Sequence, residues 1–126
     1  MNAENAKRVV EEFLNCLHKG DVEGALARTT GNPEFLIFNN AIPNGVRTLC
    51  GMLPAMFKEG PEREYTGQYV DGNTVISQIT IRGTSTLGKQ YQNYYLIICH
   101  FTGDKISKVQ EYLDSAYAST VFPPMQ

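Results

Sequence analysis

A glutamate on an apolar face of the last predicted strand is the residue of clearest chemical interest in this chain. Side chains of an extended segment alternate between two faces, so Val109, Glu111 and Leu113 share one face. A carboxylate between apolar neighbours has to be paired, hydrogen-bonded or held at a raised pKa. Glu111 is therefore a candidate general acid/base, and the alternative is a structural contact with Arg82 or with a backbone amide.

Residues on the neighbouring elements could position a ligand beside this acid. The predicted ligand-binding set is Phe13, Gln78, Thr80, Arg82, Asn93, Tyr95, Val109 and Leu113. Its uncharged polar members can orient a carbonyl or hydroxyl group, and Arg82 can attract a carboxylate or balance Glu111. The apolar members would form the wall of the pocket. Proton transfer by one carboxyl group needs no cofactor, so we expect neither a cofactor nor a metal ion.

The histidines, the cysteines and the known sequence motifs offer little further chemistry. His18 lies at the polar end of the first predicted helix and is expected to be solvated, and His100 is expected at a surface or an interface. No HExxH, CxxC, GxGxxG or P-loop pattern occurs. Three widely spaced cysteines predict small buried side chains without a disulfide framework, which favours a reducing, cytoplasmic location.

Composition limits the classes of function. The chain has 126 residues and a net charge of -2, with 42% hydrophobic and 19% charged residues. These values predict one ordered domain, over residues 1–126. Charged residues are scattered and form no basic stripe, so we expect no nucleic-acid partner. The longest apolar run, from Tyr94 to Cys99, is far too short for a membrane span, so no membrane association is expected.

Helices are predicted in the first half of the chain. Apolar residues recur at helical spacing from Ala3 to Lys19, and Gly20 is a suitable residue to end that helix. Asp21 can cap a second helix from Val22 to Arg28. A short strand is predicted from Phe35 to Phe38, followed by a loop and a third helix over residues 46–58 that Pro54 should bend or interrupt.

Strands follow from Arg63 onward. The segments 65–70, 74–86, 89–102 and 105–114 are rich in Ile, Val, Thr and Tyr, and turn residues separate them. Helices followed by an antiparallel meander predict an α+β fold with the helices on one face of a curved sheet. Both faces of the central strands carry apolar residues, which predicts a homodimer through the outer face. Its predicted contact residues are Ile79, Ile81, Tyr94, Leu96 and Ile98.

Two segments resemble a known superfamily. The stretch VVEEFLNCLHKGDVEGALA, residues 9–27, resembles the opening helices of nuclear-transport-factor-2-like (NTF2-like) proteins. The stretch GKQYQNYYLIICHFTGDKISKVQEYLD, residues 88–114, is similar to the Gly-Lys-x-Tyr-x-Asn and Glu-Tyr-x-Asp pattern of SnoaL-like proteins, with Asp104 replacing a glycine. The resemblance implies the cone-shaped cystatin-like, or NTF2-like, fold and a buried small-molecule pocket.

Members of this superfamily use different residues for different reactions. The Arg and Asp of limonene epoxide hydrolases fall at Gln78 and Thr80, and the Tyr of ketosteroid isomerases falls at Phe13. The second Asp of limonene epoxide hydrolases and the catalytic Glu of phenazine-biosynthesis A/B proteins both fall at Glu111, whereas the oxyanion-hole Asp of ketosteroid isomerases falls near Leu96 or Ile97. The resemblance implies an acid/base isomerase, cyclase or hydrolase acting on an apolar, oxygen-bearing substrate. A non-catalytic binding or protein-interaction module is the alternative.

Overall fold

The computed structural model describes residues 1–123. Its elements, in chain order, are α1 (Ala3–Lys19), α2 (Val22–Ala27), β1 (Thr29–Ile37), β2 (Asn40–Ala41), α3 (Gly45–Met56), β3 (Phe57–Asp71), β4 (Thr74–Ser85), β5 (Gln90–Thr102), β6 (Lys105–Tyr112) and α4 (Ser115–Val121). The predicted α+β class is confirmed, and the three predicted helices precede the antiparallel strands β3 to β6. No helix in the described part of the chain is long and apolar enough to cross a membrane.

Helix α1 begins and ends where the sequence predicts. The Asn2 side chain accepts a hydrogen bond from the Asn5 amide at 2.8 Å, which satisfies one free donor of the first turn. Gly20 ends the helix with a φ of 76°, a left-handed conformation that glycine adopts without a steric penalty. The apolar side, which includes Val10, Phe13 and Leu17, is fully buried against the sheet.

Six strands form one sheet in the order β2-β1-β6-β5-β4-β3. The strands from β3 to β6 are antiparallel neighbours, as predicted, and β1 pairs with β6 in parallel. Strand β3 starts at Phe57, directly after α3, and is therefore longer than expected. Pro54 lies in the last turn of α3 and does not interrupt the helix earlier.

The two faces of β4 are reversed relative to our prediction of the interface. Ile79 and Ile81 point inward and belong to the buried core, so they are not available for the predicted dimer contact. The outer face of β5 carries Tyr94, Leu96 and Ile98, as expected, and Tyr94 is 65% exposed. Burying two isoleucines against α1 removes more apolar area from water than burying their polar neighbours would, which explains the observed face.

Helix α4 was not predicted. Asp114, assigned to the end of the last strand, instead caps this helix by accepting a hydrogen bond from the Tyr117 amide at 3.0 Å. Tyr117 stacks on Tyr91 with ring centroids 5.6 Å apart, and Phe122 packs on the same tyrosine at 4.6 Å. This aromatic cluster fixes α4 over one end of the sheet.

Candidate functional site

A mainly apolar cavity of about 510 Å³ lies between the inner face of the sheet and helices α1, α3 and α4. Its lining residues are Leu14, Leu17, His18, Ile37, Phe38, Leu49, Met52, Leu53, Met56, Ile81, Tyr95, Ile97, Glu111, Leu113, Ser115, Ala118, Ser119, Phe122 and Pro123. Its volume and its few polar groups are typical of a small-molecule site.

Glu111 is placed in this cavity by the centre of the sheet. On β6 it lies between Ile97 of β5 and Ile37 of β1, both of which also line the cavity. Its backbone carbonyl accepts a hydrogen bond from the Phe38 amide at 3.1 Å, which holds the strand end in place. The predicted inward orientation of Glu111 is therefore observed.

The Glu111 carboxyl group has no protein partner in residues 1–123: no side chain or backbone amide there donates a hydrogen bond to it, and no cation forms an ion pair with it. Burial raises the pKa of Glu111 from 4.5 to about 7, because the apolar surroundings disfavour the charged form. The residue keeps partial solvent access. A carboxyl group of this kind can both accept and donate a proton near neutral pH.

His18 is a second ionisable residue of the cavity, and its predicted solvation is wrong. Its Nδ1 is in hydrogen-bond contact with Nη1 of Arg63 on β3, while Nη2 of Arg63 donates to Asn15 Oδ1 at 2.9 Å. Burial, and then the positive charge of Arg63, lower the pKa of His18 from 6.5 to about 3. His18 is therefore a neutral imidazole over the ordinary pH range.

A chain of three polar side chains runs along the inner face of β5. Asn93 donates from Nδ2 to the Tyr91 hydroxyl at 2.8 Å and to the Asp114 carbonyl at 3.0 Å. The Tyr91 and Tyr95 hydroxyls are 2.5 Å apart. Burial raises the pKa of Tyr95, so its hydroxyl stays protonated where it lines the cavity. Asn93 thus fixes the tyrosine pair from behind.

The predicted inward-facing residues divide into two groups. Tyr95 and Leu113 line the cavity with Glu111. Phe13, Val109 and Asn93 are buried but lie behind the wall, so their predicted direct contact with a ligand is not supported by their positions. Phe13 and Val109 are fully enclosed by the core because they face the contact between α1 and the sheet.

Gln78, Thr80 and Arg82 were predicted to line the pocket, and the structure places them on the outer face of β4 instead. Arg82 donates to Glu64 at 2.9 Å and to Gln92 at 2.9 Å on the outer surface, so it neither balances Glu111 nor reaches the cavity. The alternation along β4 was correct. The face was wrong, because the apolar members of the strand take the inner side.

The sequence analysis did not identify the residues through which α1, α3 and α4 line the cavity. His18 follows Leu14 by four positions and therefore shares its helix face, a signal that was present in the sequence. Met52, Leu53 and Met56 were predicted on the apolar side of the third helix without a functional role. The residues of α4 had no signal beyond Asp114, which suits an N-cap position.

No family model and no curated protein sequence matches this chain. Solved structures do match it in fold. An NTF2-like protein of unknown function from Burkholderia pseudomallei K96243 superimposes with a TM-score of 0.79 at 13% identity, over 98% of this chain and 100% of that chain. An NTF2-like protein from Burkholderia xenovorans LB400 gives 0.76 at 16% identity, over 98% and 99%.

A third solved structure with this fold is an LEH-like epoxide hydrolase from M. tuberculosis. It matches with a TM-score of 0.70 at 21% identity, over 90% of this chain and 85% of that chain. Together the three similarities show that the chain has the NTF2-like fold, which confirms the fold that the sequence resemblance implied. At these identities the similarity defines the fold and leaves the chemistry to the site.

Proposed function

We propose that the protein is a cofactor-independent acid/base enzyme that acts on an apolar, oxygen-bearing small molecule, with Glu111 as the general acid/base. The reaction would be an isomerisation, cyclisation or hydrolysis in which protons move between the substrate and this carboxyl group. One observation carries the proposal: the Glu111 carboxyl group is unpartnered in the described chain and faces an apolar cavity.

Two features of the site and one structural similarity support this assignment. A structural carboxylate in such surroundings would be expected to have a cationic or amide partner, and Glu111 has none in residues 1–123. A pKa of about 7 leaves comparable amounts of base and acid at neutral pH, where general acid/base catalysis is most effective. One solved structure with the same fold is an epoxide hydrolase, so this fold is compatible with an enzyme that acts on small molecules.

The direct test begins with whatever molecule copurifies with the protein. It would be extracted, identified by mass spectrometry and returned to wild type, to Glu111→Gln and to Glu34→Gln in deuterated buffer. Glu34 is an exposed carboxylate near Lys108 and serves as the matched control. We expect wild type and Glu34→Gln to convert the molecule or incorporate deuterium, and Glu111→Gln to be slower by a factor of about 100 or more. Equal rates for all three proteins would contradict the role of Glu111.

A non-catalytic binding module is the second candidate. The positions at which related enzymes carry their Tyr, Arg and Asp are occupied here by Phe13, Gln78 and Thr80, and none of these three lines the cavity. If the copurified molecule binds wild type and Glu111→Gln equally and neither protein changes it, the result would support a non-catalytic binding module. An empty cavity that binds no small molecule would favour a protein-interaction role.

Homodimer formation through the outer face of the sheet is part of the proposal. Tyr94 is 65% exposed and Tyr69 is 58% exposed on this face. Leu96 and Ile98 of β5 lie on the same face. Sedimentation should give a dimer for wild type and a 14.1 kDa monomer for Tyr94→Glu. A monomeric wild type would refute this assembly.

A cytoplasmic location is also proposed, because the three cysteines are free and buried.

A further inference from the structure

We propose that the ligand binds through an acceptor oxygen, which accepts a hydrogen bond from Nε2–H of His18. Arg63 is the positioning residue that fixes this tautomer. The inference deepens the proposed function, since it names the ligand group recognised in the same cavity.

The tautomer follows from the contacts of the two ring nitrogens. A guanidinium group can only donate hydrogen bonds, so Nδ1 of His18 must accept from Arg63 and cannot carry a proton. A neutral imidazole then carries its proton on Nε2. Asn15 holds the other arm of Arg63 at 2.9 Å and keeps the guanidinium in place. The chain therefore sets the tautomer of His18 through two polar contacts.

The contact with Arg63 leaves the Nε2 edge of His18 to face the cavity. Nδ1 contacts Arg63, which lines a surface groove between α1 and β3, while the His18 side chain also lines the cavity. Within residues 1–123, Nε2 of His18 has no hydrogen-bond partner. It is also not one of the polar atoms that lack a partner and are buried away from solvent. It is therefore a free donor that a ligand can reach.

Most other polar groups of the cavity are less suited to donate to an acceptor oxygen. The Ser119 hydroxyl donates to the Ala116 carbonyl at 2.7 Å, and Ser115 lies at the exposed rim. Glu111 carries negative charge once it has lost its proton and would repel an acceptor oxygen. The Tyr95 hydroxyl lies 2.5 Å from that of Tyr91, and either can be the donor, so Tyr95 is the competing donor. His18 is the donor whose tautomer the chain fixes, and the positive charge of Arg63 lies behind it.

Two probes test the recognition of oxygen. 2-Acetylnaphthalene carries a carbonyl, and 2-isopropenylnaphthalene replaces its oxygen by a CH₂ group of similar shape. We expect wild type to prefer the ketone by a factor of about 10, the worth of one hydrogen bond. His18→Asn keeps an acceptor for Arg63 but removes the Nε2 edge, so its preference should fall below about twofold. His18→Gln keeps a donor near the Nε2 position and should retain a preference.

The role of Arg63 is tested by nitrogen NMR of the two histidine rings, with His100→Gln as the assignment control. We expect His18 to be protonated on Nε2 alone between about pH 5 and pH 8. Arg63→Met should mix the tautomers and raise the pKa of His18 toward its ordinary value, and Arg63→Lys should restore the wild-type signature in part. A merely structural role of Arg63 would leave the ring signals unchanged.

Several outcomes would overturn the inference. These are a proton on Nδ1 of His18 in wild type, equal binding of the two probes, failure of both probes to bind, and an undiminished ketone preference in folded His18→Asn. Failure of the proposed function is read separately, from the titration of Glu111 and the turnover of the copurified molecule. Either proposal can therefore fail while the other stands.

Discussion

Replacing Glu111 by Gln should stabilise the protein at neutral pH, although it removes the proposed catalytic group. The substitution keeps the shape of the side chain and eliminates a charge that the apolar cavity disfavours. A functional group that is costly to bury lowers the free energy of unfolding, so its removal is expected to raise it.

The magnitude follows from the two pKa values of Glu111. At low pH both the folded and the unfolded chain hold the proton, and the charge has no effect. As pH rises from 4.5 to about 7, the unfolded chain releases the proton while the folded protein retains it, so the free energy of unfolding falls. Above about pH 7 the loss is constant, at about 3 kcal/mol relative to Glu111→Gln. This corresponds to a difference in Tm of roughly 10 °C.

His18 contributes with the opposite sign. Its pKa is about 3 in the folded protein and 6.5 ordinarily, so between these values the unfolded chain binds more protons than the folded one. Its contribution to the free energy of unfolding therefore rises with pH through that window. In wild type the two titrations offset each other between 4.5 and 6.5. In Glu111→Gln the rise due to His18 should become visible, by about 3 kcal/mol over this window.

Urea denaturation at several pH values between about 4 and 8 measures these differences. Groups common to wild type and variant cancel in the comparison, so the difference between the two curves isolates Glu111. Glu34→Gln, which removes an exposed carboxylate, should follow the wild-type curve closely. Parallel curves for wild type and Glu111→Gln across the range would refute the raised pKa, and with it the argument from desolvation.

Three further predictions concern the scaffold. Gly83→Ala should lower the free energy of unfolding by about 1–3 kcal/mol in urea titrations, because a Cβ there would lie 2.8 Å from the Glu59 carbonyl and 2.8 Å from the Phe57 ring. Asp114→Ala should cost about 1 kcal/mol of stability by the same assay and increase the amide exchange of α4, since the N-cap bond is lost. The three cysteines are free and buried, so a thiol reagent such as Ellman's should react with all of them in urea and with none rapidly in the native protein.

Local patterns in the sequence were sufficient for part of the scaffold. Helix α1 and the turn residues of the hairpins can be read from nearest neighbours, because capping and turn conformations depend on a few adjacent residues. The alternation along β6 was also sufficient to place Glu111 inward beside Val109. Helix α4 was missed because its seven residues lack a strong apolar period and are held by aromatic contacts with Tyr91.

The face of β4 shows where strand patterns stop being informative. Alternation separates Ile79 and Ile81 from Gln78 and Thr80, but it does not say which set faces the helices. The resemblance to related enzymes favoured the polar set, and the burial of apolar area favoured the isoleucines. In the structure the two isoleucines face inward, as the burial of apolar area favours. The environment of His18 is a different case, since Arg63 lies 45 positions away and no local pattern reports that contact.

Desolvation has opposite effects on the pKa values of the two ionisable residues of the cavity, and both effects favour the uncharged form. Burial raises the pKa of Glu111 and lowers that of His18, so the cavity disfavours either sign of charge and should admit neutral ligands. When Glu111 does lose its proton, the carboxylate is a stronger base than a solvated one by about 3 kcal/mol. Transfer of a ligand proton to it would move the negative charge onto the ligand, where the proposed His18 donor and the charge of Arg63 would stabilise it. The total charge of the cavity stays the same through that step, so the surroundings that make Glu111 basic do not oppose the reaction.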